Sequence, residues 1–171
     1  YRFANGDRYE GEFANGQFSG RGRLYLAGGD RYEGDFNANV KDGQGVLLRA
    51  AVPGDADRVD AFLNSLSKRT LALRFMAGVA KVARSFVEDL CRWEPHSQAC
   101  LLAVEGDGER ILGLGNYVGD GGAVAEVAFI VADEDQGRGI ATLILEKLGG
   151  LAAGAGYVGF EAEMLFENKK M

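Results

Sequence analysis

Cysteine and histidine are nearly absent from this 171-residue chain, and no apolar run in it is long. Cys91 and Cys100 have no second pair to join, and His96 is the single histidine, so the sequence cannot assemble an ordinary zinc site. No metal is expected, and the two thiols read as buried side chains of a cytoplasmic protein. His96 follows a proline in a polar stretch and reads as exposed. No stretch approaches the roughly 20 apolar residues of a membrane span, and no secretory signal opens the chain. Positive charge is also in deficit: a formal net charge of −6 argues against a nucleic-acid backbone as the general partner. The chain starts at Tyr1 without an initiator methionine and stops just inside an expected helix, which reads as a fragment cut at both ends.

What is abundant is glycine, 26 residues with much of the excess in the first 45 positions. There the sequence repeats with a period of 23. Phe3 to Phe13 (FANGDRYEGEF) returns as Leu26 to Phe36 (LAGGDRYEGDF), so Tyr9 matches Tyr32, Gly11 matches Gly34, Gly20 matches Gly43 and Gly22 matches Gly45. A fixed period of that size signals stacked repeats, and aromatic–polar alternation bounded by Asn-Gly or Gly-Gly signals β-hairpins. The register Tyr-x-Gly-x-Phe followed by Gly-x-x-x-Gly-x-Gly resembles MORN repeats over Phe3 to Gly45. The resemblance implies an all-β hairpin array in residues 1–45, with glycines at close packing points and aromatics stacked into a thin core. Two units bury little apolar area, so they need a neighbour, either more repeats or the domain that follows. By the same resemblance the array docks a protein partner or lipid headgroups, of which the acidic residues favour the protein, with a purely structural role as the alternative.

Ala123 to Leu148 (AVAEVAFIVADEDQGRGIATLILEKL) organises the remainder. Ala123 to Ala132 is apolar except for Glu126 and reads as a buried strand. Asp133 to Asp135 is an acidic loop. From Ile140 the apolar period changes, and Ile140, Ile144, Leu148 and Leu151 fall on one helical face. The unpartnered N–H groups and the dipole at such a helix start suit an anion. Gly137 and Gly139 would let the backbone approach a phosphate, and Arg138 adds charge. The alternative is a strand-to-helix turn whose glycines only relieve strain.

Gln136-x-x-Gly139-x-Ala141, between that strand and that helix, matches the Q/R-x-x-G-x-G/A signature of the GNAT acyltransferase superfamily. Phe160 to Leu165 and Asn168 to Met171 resemble the next strand and the start of the following helix. Val46 to Met171 is therefore identified as a GNAT-like domain similar to bacterial protein-lysine acetyltransferases, lacking its C-terminal strands. The implied fold class is α+β, a mixed and mostly antiparallel sheet flanked by helices. The resemblance also implies acetyl-CoA as acyl donor. Backbone groups of Phe129, Ile130 and Val131 would pair with its pantetheine arm. The segment Gln136, Gly137, Arg138, Gly139, Ile140, Ala141 and Thr142 would hold the pyrophosphate, and Asn168 would reach the cofactor. Glu126 matches the strand glutamate used as general base, and partial desolvation in its apolar strand would raise its pKa. Its alternative is an exposed or arginine-paired glutamate.

No linker separates the two modules, and Val46 to Val52 either ends the last hairpin, opens the second sheet, or does both. Asp55 to Leu66 reads as a helix with Asp55 as N-cap and Val59, Phe62, Leu63 and Leu66 on one face. Ser67 to Trp93 is a second helical region. Its Lys68, Arg69 and Arg74 read either as a solvated face or as a surface for an acidic acceptor. Phe86, Leu90 and Trp93 read as packing residues. Ala99 to Glu105 and Ile111 to Val118 are strands flanking a Gly106-Asp107-Gly108 turn, and Tyr157 to Leu165 is a final strand. The sequence supports an acetyl-CoA-dependent N-acetyltransferase acting on an amine, a protein lysine by resemblance, with a docking module in front. The rivals are a small-molecule amine acceptor and a non-catalytic interaction protein.

Overall fold

The computed structural model describes residues 1–37, 40–41, 45–75, 81–106 and 110–162. β1 (Arg8–Ala14) and β2 (Gln17–Tyr25) form a hairpin closed by Asn15 and Gly16, whose φ angles are 51° and 76°. A two-residue turn of that hand matches the twist of paired strands. β3 (Arg31–Asn37) pairs with β2 and with the short β4 (Val40–Lys41). Gly11, Gly22 and Gly34 occupy one register row across β1–β3. That row is bare because tyrosine rings cover it. A Cβ on Gly22 would overlap the ring of Tyr9, and one on Gly45 would overlap the ring of Tyr32. Both tyrosines are fully buried, and their hydroxyls donate to the carbonyls of Glu12 and Asp35, each at 3.1 Å. Tyr9 stacks on Phe18 with centroids 3.8 Å apart, and Phe36 meets Tyr9 edge-on at 4.9 Å. The expected thin aromatic core is Tyr9, Phe18, Tyr32 and Phe36.

β5 (Val46–Ala50) joins the halves. It pairs antiparallel with β3 through Val46 to Leu48 and with β6 (Gln98–Glu105) through Val46 to Ala50. Of the two roles open to this segment, it takes both. One sheet therefore runs β1-β2-β3-β5-β6-β7-β8-β9, where β7 is Ile111–Val118, β8 is Val124–Val131 and β9 is Gly159–Glu161. Every pairing is antiparallel except β8 with β9. The repeats find their neighbour in the domain that follows, and Tyr32 also reaches across to Gly106 at the end of β6.

Helices cover the two faces of β5–β8. On one lie α1 (Ala56–Ser65), α2 (Lys68–Phe75) and α3 (Arg84–Leu90), whose Val59, Leu63, Leu71 and Val87 pack on Cys100, Leu102, Leu114 and Ile130. On the other lies α4 (Ile140–Ala155), packing Ile140, Ile144 and Leu148 against Leu101, Tyr117 and Val127. Ile144 sits so close to β7 that a Cβ on Gly115 would collide with it. Gly156, at φ 100°, ends α4 as its position suggests. Arg31 of β3 ties the repeats to this helix, 3.6 Å from Glu146. Both cysteines are buried free thiols, and His96 is exposed.

Some expectations need correction. Asp55 precedes α1 but makes no capping bond. Its buried carboxylate instead receives the Arg49 guanidinium in two bonds of 2.7 and 2.6 Å and the Val52 N–H at 3.0 Å. A fixed bidentate cation outcompetes the helix amides for it. Trp93 is 39% exposed rather than packed. Arg74 is not on a solvated face, as described below, whereas Lys68 and Arg69 are exposed. The Gly106-Asp107-Gly108 turn and the end of the Tyr157 to Leu165 strand lie outside the described residues.

Gly45→Ala should destabilise the fold by about 2 kcal/mol, since overpacking of this kind costs roughly 1–3 kcal/mol. A melting temperature equal to that of the parent would show that Tyr32 is not seated on Gly45. Asp55 gives a pH test. Arg49 holds its carboxyl below the ordinary 3.8, so its stabilising contribution is complete at neutral pH and is lost as pH falls through the lower folded value. Asp55→Asn should cost about 3 kcal/mol at pH 7. In paired denaturation curves, that gap should narrow below about pH 4.

Candidate functional site

β9 pairs with the first part of β8 among the described residues. Their parallel register covers Val124 with Gly159, Ala125 with Phe160 and Glu126 with Glu161, and no further pair among the described residues. On its other side β8 stays paired with β7 from Glu126 to Val131. Among the described residues nothing pairs with Val127 to Val131 on the β9 side. Backbone groups alternate sides along a strand, which sorts the three residues expected there. The Val131 carbonyl faces away from β7 and accepts the Gln136 amide at 3.3 Å, and Phe129 shares its phase. Ile130 faces the other way: its carbonyl lies beside Gly113 of β7, and its side chain is in the core under α1–α3. The β9-side edge belongs to Phe129 and Val131.

The turn after β8 leads straight to a helix start. Asp133–Asp135 form one 3-10 turn, and Gly137 and Gly139 both take φ 80°, a left-handed conformation that favours glycine. Cβ positions on both glycines would project into open space. Gly139 is the N-cap of α4 and supplies no side-chain cap. Its carbonyl accepts from Leu143 at 3.1 Å, so the amides of Ile140, Ala141 and Thr142 precede the first helical bond. Ile140 itself is buried, so it offers only that amide.

The charges around this turn are already engaged. Asp133 accepts from the Ser67 N–H (2.9 Å), the Ser67 hydroxyl (2.7 Å) and the Thr70 hydroxyl (2.6 Å), and these bonds hold its carboxyl below the ordinary range. Gln136 bridges the same helix, donating to Thr70 at 3.4 Å. Buried Asp135 holds Arg110 at 2.7 Å and also Arg138, while Arg110 reaches Glu134 at 2.8 Å and Glu105 at 2.9 Å. Arg138 is therefore tied back to its own turn rather than presented freely. Anion binding here falls to the backbone amides.

Glu126 is the last residue of β8 that pairs with β9 among the described residues. Its side chain is exposed, correcting the expected desolvation: it lies at the solvent end of the β8 register, opposite exposed Val118. Two neighbours were not anticipated. Exposed Glu161 is its register partner on β9. Arg74 of α2 reaches the same face, donating to Asn116 Oδ1 at 2.9 Å. Burial pushes the Arg74 guanidinium below its ordinary range, and the Glu126 charge opposes that shift. Nothing in the sequence alone set Glu161 beside Glu126 or paired Arg74 with Asn116. The Tyr117 and Tyr157 hydroxyls donate to the carbonyls of Pro95 and His96. Asn168 lies outside the described residues. Among the described residues no three His, Cys, Asp or Glu side chains could share a metal ion, and no helix is long and apolar enough to cross a membrane.

Known proteins share both halves of this architecture. The MORN repeat family model matches residues 9–31 and 32–50. Acetyltransferase Pat of Mycolicibacterium smegmatis is 33% identical over 137 residues, 77% of this chain and 40% of that protein. The chain thus spans two fifths of the length of that curated relative. The crystal structure of the GNAT domain of S. lividans PAT superposes with a TM-score of 0.69 at 31% identity, covering 76% of this chain and 78% of that one. An acetyltransferase of the GNAT family from Streptococcus pneumoniae shares the fold at 21% identity, with a TM-score of 0.56 over 72% of this chain and 76% of its own. Two MORN repeats thus precede a sheet whose β8 leads into a glycine-led helix start, and the chain belongs to the GNAT family.

Proposed function

We propose that this protein is an acetyl-CoA-dependent N-acetyltransferase. The observation that carries the reading is the strand edge of Val127 to Val131, without a partner on its β9 side among the described residues, leading into the helix start at Gly139. An extended amide-bearing arm fits beside such an edge as an added strand, and a pyrophosphate fits the amides of Gly137 to Thr142. A thioester cofactor would bring an activated acyl group. The chain's residues then orient the acceptor, remove its proton and stabilise the developing oxyanion. The pantetheine would lie against Phe129 and Val131.

Glu126 is the general base in this reading. It stands at the last described β8–β9 pair, where a thioester carbon would meet an amine arriving from solvent. Its exposure suits a base acting directly or through one water. Glu126 and Glu161 together put two carboxylates there, which favours a cationic acceptor such as a lysine ammonium. Resemblance to protein-lysine acetyltransferases favours a protein lysine over a small amine. Residues 1–45 would then serve as a partner-docking module attached to a transfer domain in 46–171.

Gly139→Glu places a carboxylate at the left-handed N-cap and should abolish saturable acetyl-CoA binding in calorimetry. Retained affinity would remove the phosphate-loop assignment. Glu126→Gln should lower kcat about 100-fold toward lysine peptides while leaving the acetyl-CoA Kd unchanged. Transfer to free amines but not to peptides would instead select a small-molecule acceptor. Binding without turnover on any amine would select the interaction protein.

A further inference from the structure

The repeats and α4 enclose a cleft of about 650 Å³, lined on the sheet side by Glu10, Arg21, Arg23, Glu33 and Asp35 and on the other by Arg138 and Leu143. It arises because β5 carries the sheet from one module into the next. The polar face of β2 and β3 thereby continues the face that α4 covers further along. Arg138 belongs to both this cleft and the glycine turn, so the two are contiguous.

The cations along the cleft are not equally committed. Arg138 is held by Asp135, and Arg23 by Glu33 at 2.9 Å. Arg21 forms no ion pair among the described residues; Asp35 is its cross-strand partner in register but lies beyond ion-pair distance. Arg31 shares the face of Glu33 and Asp35 on β3. It is 7% exposed and committed, pairing with Glu33 at 3.7 Å and with Glu146 at 3.6 Å, although its Nε and Nη2 lack hydrogen-bond partners among the described residues. Burial, and then the charge of Arg31, pull the Lys147 ammonium of α4 below its ordinary range. The lining is thus mixed in charge, and Arg21 is its cation without an ion pair among the described residues. Its carboxylates are partly engaged: Glu10 meets Arg8 at 3.0 Å and the Tyr25 hydroxyl at 3.2 Å. They remain able to accept from hydroxyl or amino groups. Such a lining suits a ligand with phosphate at one point and N–H and O–H donors at others, as a nucleotide has.

We propose that this cleft receives the phosphorylated nucleoside end of acyl-CoA, with Arg21 of the repeat sheet as counter-ion to its 3′-phosphate. The proposal rests on the acetyltransferase reading above, because it places the far end of the same donor. The repeats then form one wall of the cofactor site.

The test titrates acetyl-CoA and acetyl-dephospho-CoA, which lacks the 3′-phosphate, into the chain and into Arg21→Ala, Arg21→Glu and Arg92→Ala. Arg21 is exposed, so its variants should melt with the parent. Arg21→Ala should weaken acetyl-CoA about five-fold, Arg21→Glu more, and neither should move acetyl-dephospho-CoA. Arg92→Ala, an exposed arginine paired with Asp89 and not among the cleft residues, should change neither ligand. Equal losses on both donors, or no loss on either, overturn the nucleotide subsite while leaving the acetyltransferase reading intact. Failure of the unaltered chain to bind either donor overturns both.

Discussion

The structure depends on β5 having a hydrogen-bonded neighbour on each side. A two-repeat array leaves an open edge and a thin aromatic core, and an edge of that kind is a site for unwanted pairing. Pairing β5 with β3 and β6 removes the edge. It also brings Tyr32 from the repeat core over Gly45 and against Gly106, so that a repeat side chain completes packing in the next module. The two halves share a sheet and not merely a boundary, and the cleft along α4 exists because they do.

At the other end of the sheet the same economy of contacts shapes the glycine turn. Asp133 is spent on Ser67 and Thr70, and Asp135 on Arg110 and Arg138. These carboxylates pin the turn from the α2 side and from the β6–β7 side, so the amides beyond it are held in place before any ligand arrives. Preorganised donors of this kind need no rearrangement on binding. The consequence is that a nearby arginine in the sequence is not the same as an available cation.

Much of this was legible in the sequence because it is periodic or local. The tyrosine–glycine spacing gave the hairpins, and the change of period at Ile140 gave α4 with Ile140, Ile144 and Leu148 inward. Gln136-x-x-Gly139-x-Ala141 gave the turn. What escaped is non-local. Glu126 looked desolvated because its sequence neighbours are apolar, yet exposure depends on where β7 and β9 stop. Asp55 looked like a cap because the helix follows it, yet Arg49, folded back from β5, claims it. Arg74 read as one of a cationic trio until Asn116, from a strand beyond α3, came to meet it. Ile130 shared a motif with Phe129 and Val131, but strand alternation turned it toward β7.

The shared strand also sets an order on folding. β1, β2 and β3 close through short turns, a small loss of chain entropy for each pairing. β5 can meet β6 only after the segment carrying α1, α2 and α3 has been looped out, a far more distant contact of the kind that slows folding. The hairpins can therefore assemble early and wait with one edge bare. The last β5–β6 pairing then closes that edge, and the cleft between the modules comes into being in the same step.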